Sequence, residues 1–233
     1  YRLIRSQDGL NIIKCISPAG EILWSKEFFG VKNYQYSSTI PFAVDNDLSV
    51  DNGGNVYFSG FKLGTAVFPE SAPYISYLCK LDASGVAVWT NEVPDVKVSH
   101  VMVATSGKIG VSGLGGYAFY DAAGGLIQKK GYADDNYLLQ EVSPEGKFLL
   151  LRVHALAGVI LVLTNPDSEP EWQTLLGLND WASAISNPVG GWFVGGYRFD
   201  GGNSWYVPFS VQAVAADGSR RWVQELGDVF HFE

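Results

Sequence analysis

The sequence predicts an all-β chain folded as a five-bladed β-propeller of four-stranded antiparallel blades, and three observations carry that expectation. A small turn residue is followed four positions later by tryptophan or a stand-in at five places: Gly20 to Trp24, Gly85 to Trp89, Gly124 to Gln128, Ser168 to Trp172 and Gly218 to Trp222. Apolar residues fall in short runs bounded by Gly, Asp, Asn, Ser and Pro, which is the pattern of strands and not of helices. The repeat spacing averages roughly forty-five residues, within the range of four-stranded propeller blades.

Aligned on these turns, residues 1–233 form a single domain. The first blade, 1–29, supplies strands from Tyr1 to Ser6, Leu10 to Ile16 and Glu21 to Phe28, and lacks its innermost strand. Blades two to five follow at 42–93, 96–130, 137–176 and 181–226. The tail 228–233 aligns with the opening strand of the fifth blade, Asp180 to Ile185. It is therefore expected to complete the first blade and close the ring, removing an exposed sheet edge. The apolar stretch from Phe148 to Leu163 is broken by Arg152, His154 and Gly158, so it reads as two strands around a turn and is too interrupted to span a bilayer.

The tryptophans are expected to pack between adjacent blades with each N–H on a carbonyl. Asp82 to Gly85, Ala216 to Gly218 and Asp51 to Gly54 read as hairpin turns; the last lacks the later ligands and terminal glutamate of a calcium loop. Cys15 lies five residues before its turn glycine and Cys79 six, which places them on opposite faces of equivalent strands and predicts two buried thiols without a disulfide. With a net charge of −8 and no basic run beyond Lys129-Lys130 and Arg220-Arg221, the chain has no face for nucleic acid.

The segment Asp51-Asn52-Gly53-Gly54-Asn55-Val56-Tyr57-Phe58-Ser59-Gly60, followed by Lys80-Leu81-Asp82-Ala83-Ser84-Gly85-Val86-Ala87-Val88-Trp89, resembles the bacterial secreted propeller repeats, with their D-x-x-G-N-x-Y-x-x-G and K-L-D-x-x-G-x-x-x-W patterns. The turn from Ala215 to Trp222 is similar to that of the quinoprotein propeller repeat. The first resemblance implies an extracellular, cell-surface or periplasmic protein. The second implies a cofactor held by more blades, with a vicinal disulfide and a calcium site. The two cysteines here are not adjacent, so no cofactor is expected.

Long connections at Phe61 to Tyr77 and Tyr197 to Val207 are expected to share one face with the segment from Val31 to Tyr36. That face collects Tyr34, Tyr36, Phe61, Lys62, Phe68, Tyr74, Tyr197, Arg198, Trp205 and Tyr206. Rigid amphipathic rings beside basic groups suit a glycan or a protein ligand, unless the rings fold back to fill their own loops. Nearer the axis, Asp47, His100, Ser183 and His231 occupy equivalent positions, and Asp47, His100 and His231 are weak metal candidates without a local metal signature. Asp47, Glu141 and Glu233 are the carboxylates available to a glycosidase-like alternative. No G-x-S-x-G elbow and no phosphate-cradling loop occurs. The expectation is a non-catalytic recognition module, with a glycoside hydrolase-like enzyme or a structural subunit of a surface assembly as alternatives.

Overall fold

A computed structural model of the chain describes residues 2–5, 11–28, 48–63, 74–132, 135–154, 158–177, 180–197 and 207–229. Every regular element among them is a strand. Strands β1 (Arg2–Arg5), β2 (Asn11–Ile16) and β3 (Ile22–Phe28) form a three-stranded sheet. Strands β4 (Leu48–Val50), β5 (Val56–Leu63), β6 (Tyr74–Leu81) and β7 (Ala87–Val93) form a four-stranded one. The meander β8 (Lys97–Val103), β9 (Ile109–Leu114), β10 (Gly116–Tyr120), β11 (Leu126–Lys130) is joined by one residue pair, Leu114 with Asn136, to a second meander. That second one comprises β12 (Asn136–Val142), β13 (Phe148–His154), β14 (Gly158–Thr164) and β15 (Pro170–Leu175). The last sheet is β16 (Asp180–Ser186), β17 (Trp192–Tyr197), β18 (Val207–Val214) and β19 (Arg220–Val229). Among the described residues no helix is long and apolar enough to cross a membrane.

With the two joined meanders counted as the third and fourth sheets and β16–β19 as the fifth, the core lies between consecutive sheets. Ile13 of the first sheet packs with Val56, Phe58, Cys79 and Leu81 of the second. Tyr57 and Leu78 face Val98, Val101 and Val111 of the third, and Tyr117 and Phe119 face Tyr137, Phe148 and Leu150 of the fourth. Leu149 and Leu151 face Ala184 and Val194 of the fifth. Neighbouring residues of β13 therefore serve opposite cores, because side chains alternate along a strand. A sheet covered on both faces needs apolar residues at every position, which accounts for the unbroken run Phe148-Leu149-Leu150-Leu151.

The hairpin turns share one geometry. At Asp82, for example, the Gly85 N–H donates to the Asp82 carbonyl at 2.9 Å and the Asp82 N–H to that of Val86 at 2.9 Å, with Gly85 at φ +81°. Asp82 Oδ1 accepts the Ser84 and Val86 N–H groups, so the turn is held from its own first residue. Asp51 extends the scheme: it accepts from Gly53, from the backbone and side chain of Asn55, and from the Tyr57 hydroxyl at 3.0 Å. Burial pushes the Asp51 carboxyl up, but those donors together hold it below its ordinary value. The Asp, Asn and Tyr of the repeat motif are thus one hydrogen-bonded hairpin staple. In this loop the carboxylate is consumed by its own turn.

Three tryptophans of the repeat, Trp24, Trp89 and Trp172, each cover the turn of the following sheet. Trp24 Nε1 donates to the Ala83 carbonyl at 2.9 Å, and a Cβ placed on Gly85 would stand 2.8 Å from the indole. Trp89 treats Ala122 and Gly124 the same way, as Trp172 does Ala216 and Gly218. The turn glycine therefore serves twice, adopting a left-handed φ and leaving room for a ring. The third and fourth sheets depart from this together. Ser168 holds φ +77° where the others have glycine, and Gln128, not tryptophan, faces that turn, donating to Glu169 at 2.6 Å.

Two expectations meet the structure differently. Cys15 and Cys79 are buried and free. The expected closing strand does not begin at Asp228, since Asp228 and Val229 pair with Pro208 and Val207 as the end of β19. A bulge between Pro208 and Ser210 absorbs the extra residue near Gly227, and β18 is long enough to keep offering partners. Residues 230–233 lie outside the described residues.

Ser168 is fully buried, and its hydroxyl has no hydrogen-bond partner. Ser168→Gly is expected to stabilise the chain by about 0.5–1 kcal/mol, about 1–4 °C in a thermal melt. Gln128→Trp should destabilise the native background but be tolerated beside Ser168→Gly, giving a coupling of about 1 kcal/mol in a double-mutant cycle. Alkali should act through buried acids. Burial pushes the Cys79 thiol up from 9.0 to about 11 and is the main cause raising Tyr117 from 10.0 to about 12, with Tyr57 and Tyr137 also raised. The folded state keeps protons that the unfolded chain releases. This contribution is therefore intact below about pH 9 and lost as pH rises through the folded values, a fall measurable by urea titration between about pH 9 and 12.

Candidate functional site

In each meander the connection from second to third strand, and the link onward to the next meander, leave from the end opposite the one that carries the first-to-second and third-to-fourth hairpin turns. This loop end is where sequence reasoning locates a ligand. By backbone, Lys62 stands there opposite Ile75, Tyr74 opposite Leu63 and Tyr197 opposite Phe209. Tyr34, Tyr36, Phe68, Arg198, Trp205 and Tyr206 lie outside the described residues, as do Asp47, His231 and Glu233. His100 is half-buried on β8 opposite Ser112, just after a bulge.

Glu141 is placed by the structure as a brace. One carboxylate oxygen accepts the Ser186 hydroxyl and the other the Trp192 Nε1–H at 3.0 Å, so both are committed to the fifth sheet at the hairpin end. Next to it, Gln140 Oε1 accepts the Ala184 N–H at 2.8 Å and the Ser183 hydroxyl at 3.2 Å. Sequence position put Glu141 among carboxylates for hydrolysis; its surroundings give it structural work.

The loop end carries a cluster that sequence reasoning missed. Asp135, in the link between the third and fourth sheets, has a side chain only 1% exposed. Its carbonyl accepts the Gly115 N–H at 2.8 Å, and its N–H donates to the Tyr132 carbonyl at 3.0 Å, which fixes the side chain's direction. Gly115 has φ +94°, and a Cβ there would stand 2.5 Å from the Asp95 carbonyl, so this tight collar admits only glycine. Asp135 Oδ2 accepts from Arg152 Nε at 2.5 Å, and Oδ1 lies 3.7 Å from His154 Nε2. The Tyr137 hydroxyl stands 3.5 Å from the same carboxylate. Outside the pair, the exposed ring of Tyr132 lies 4.5 Å from the guanidinium carbon. Below it, the rings of Tyr137, Tyr117, Phe119 and Phe148 stack at 4.8–5.3 Å.

Burial disfavours the charged guanidinium, but the Asp135 hydrogen bond and charge hold its pKa above the ordinary value. The result is a permanently charged, oriented donor beside an exposed aromatic face. Such a pair offers hydrogen bonds to acceptor oxygens and a flat surface to stack against. His154 adds a half-exposed imidazole.

A signal for the cluster was present in the repeat. Six residues after their turn glycines, three sheets carry Gly60, Gly113 and Gly196, whereas the fourth carries Arg152. Glycine is required at Gly113 because a Cβ would meet the Lys97 carbonyl at 1.8 Å. Two residues further on, Lys62, His154 and Arg198 share one repeat position in the sequence, so basic residues recur there.

No protein-family model and no curated protein matches the chain. Among solved structures it is similar to the Dos1 propeller, at 13% identity over 97% of this chain with a TM-score of 0.58, and it spans 54% of that chain. It is also similar to a protein of unknown function from Bacteroides caccae, at 12% identity over 96% of this chain and 92% of that one, with a TM-score of 0.46. The Neurospora crassa Pan2 WD40 domain matches at 12% identity over 78% of this chain and 65% of its own, with a TM-score of 0.46. The likeness to the Dos1 propeller concerns fold alone, and with the antiparallel meanders and the cores between them it identifies the chain as a β-propeller.

Arg152→Ala would strand a buried carboxylate and is expected to cost about 3 kcal/mol in urea unfolding. Asp135→Ala should cost less, because the partly exposed guanidinium can turn its head to water. Equal costs would show that the ion pair does not organise this end.

Proposed function

We propose that the chain is a non-catalytic recognition module that binds a glycan or a protein segment on the loop end of a five-bladed ring. The observation that carries this reading is the exposed Tyr132 ring held over Arg152, itself oriented by the buried Asp135. This is where the chain replaces a repeat glycine with a charged side chain. The recurrence of Lys62, His154 and Arg198 supports a ligand rich in acceptor oxygens. The setting we propose is extracellular, cell-surface or periplasmic, following the resemblance to secreted bacterial repeats. The hydrolytic alternative draws no support from Glu141, whose oxygens are both engaged between sheets.

A broad glycan array probed with labelled protein, beside Tyr132→Ala and Trp205→Ala, tests the reading. Selective binding that Tyr132→Ala weakens at least about tenfold is the expected result for a glycan ligand. For a protein ligand, a photo-crosslinker at position 132 should trap one defined partner on intact source cells. Silence in both assays from folded protein would overturn the proposal.

A further inference from the structure

Gln212 breaks the repeat in a buried place. Six residues before the turn, the second, third and fourth sheets carry Cys79, Ala118 and Val162, each buried in the core against the preceding sheet. The fifth carries Gln212, 2% exposed. Two residues earlier, the second and fourth sheets pack Tyr77 and Ile160 against those cores and the third has Gly116, whereas the fifth has a buried Ser210. A small hydroxyl and an amide thus replace apolar bulk in the seam between the fourth and fifth sheets.

A cavity of about 170 Å³ opens there, between the end of β15 and strands β18 and β19. It has room for a small organic molecule, since a cavity of about 150 Å³ holds benzene. Two consecutive carbonyls at the end of β15 orient its polar walls. Gln212 Nε2 donates to the Leu176 carbonyl at 2.7 Å, and Arg220 Nη2 donates to the Leu175 carbonyl. A carbonyl only accepts, so the NH2 end of Gln212 faces it and Oε1 faces away. That buried oxygen has no hydrogen-bond partner among the described residues. The Arg220 guanidinium keeps further N–H donors beyond the one it spends on Leu175. Leu176 and Val223 add apolar wall, and a Cβ built on Gly177 would meet no described atom within 4 Å.

We propose that this cavity binds the amide group of a small ligand. The ligand N–H donates to Gln212 Oε1, its carbonyl accepts from Arg220, and its apolar substituent lies against Leu176 and Val223. A carboxylate would bring no donor to Gln212 and would set its charge toward Glu225, which lines the same cavity. An ammonium group would offer Arg220 no acceptor. Neither Tyr132 nor Arg152 lines this cavity, so it is a second site.

NMR titration of isotope-labelled protein with N-methylacetamide, N,N-dimethylacetamide and acetate tests this. N-Methylacetamide should give saturable shifts below about 100 mM, centred on the Gln212 side-chain amide and the Leu176 and Gly177 N–H groups. The other two lack the N–H and should bind at least about tenfold more weakly. Gln212→Leu removes the acceptor, and Val223→Trp fills the cavity from an exposed position on the outermost strand. Each should weaken N-methylacetamide binding at least about tenfold, the second without lowering the melting temperature. An N-acetylated amino-acid methylamide and an N-acetylated hexosamine, run in parallel, separate a peptide source from a sugar source: one of them should bind more tightly than N-methylacetamide. Equal binding of N,N-dimethylacetamide, shifts that never saturate, or binding that survives Val223→Trp would refute the site and leave the cavity to water. So would weaker binding of both acetylated compounds.

Discussion

An indole laid on a glycine Cα joins one sheet of this protein to the next. The contact needs three things at once: a left-handed turn, a missing Cβ, and a carbonyl aimed at the indole nitrogen. The hairpin supplies all three from four residues, as at Asp82 to Gly85 under Trp24. Because the ring belongs to one sheet and the turn to the next, the stacking of sheets follows from local turn chemistry. The joint exception at Gln128 and Ser168 shows the coupling. A turn residue with a side chain leaves no seat for a ring, and polar contacts to Glu169 take its place.

This stapling leaves the sheets to build their cores across the gaps between them. Leu149 and Leu150 are neighbours in β13 but belong to different cores. Outer strands, with one edge to solvent, alternate between half-buried and exposed positions, as β15 does. Backbone donors displaced by bulges on inner strands are answered from the preceding sheet. Ser112 accepts the Leu139 N–H at 2.9 Å, and Gln140 accepts that of Ala184. Even Glu141, a carboxylate on an inner strand, is drawn into this bracing.

Function is then most visible where the repeat breaks its own rule. A glycine recurs at Gly60, Gly113 and Gly196, where a Cβ would meet the Tyr77 ring at the first and the Lys97 carbonyl at the second, and Arg152 in the same position needs both space and a counter-charge. The link that ends at Asp135 supplies that counter-charge from a nearly dry site. A charged side chain with a buried partner and an exposed aromatic cover is costly to hold on a scaffold that elsewhere gets by with glycine.

The turn-and-tryptophan period by itself determined the all-β class, the strand positions and the pairing of each strand with its successor, because those depend on local turn chemistry and on alternation within a few residues. It also marked Asp51 as a turn residue and both cysteines as buried thiols. It did not reveal Asp135 with Arg152, since their contact spans seventeen residues across a link and a hairpin, and nothing local to either residue announces the other. It also misplaced Asp228 and Val229, because a strand ends where its neighbour stops offering backbone partners, and the reach of β18 is a property of the folded sheet. Which carboxylate braces and which one orients an arginine was decided only by tertiary structure, for the same acid does either according to what the adjoining sheet places within hydrogen-bonding distance.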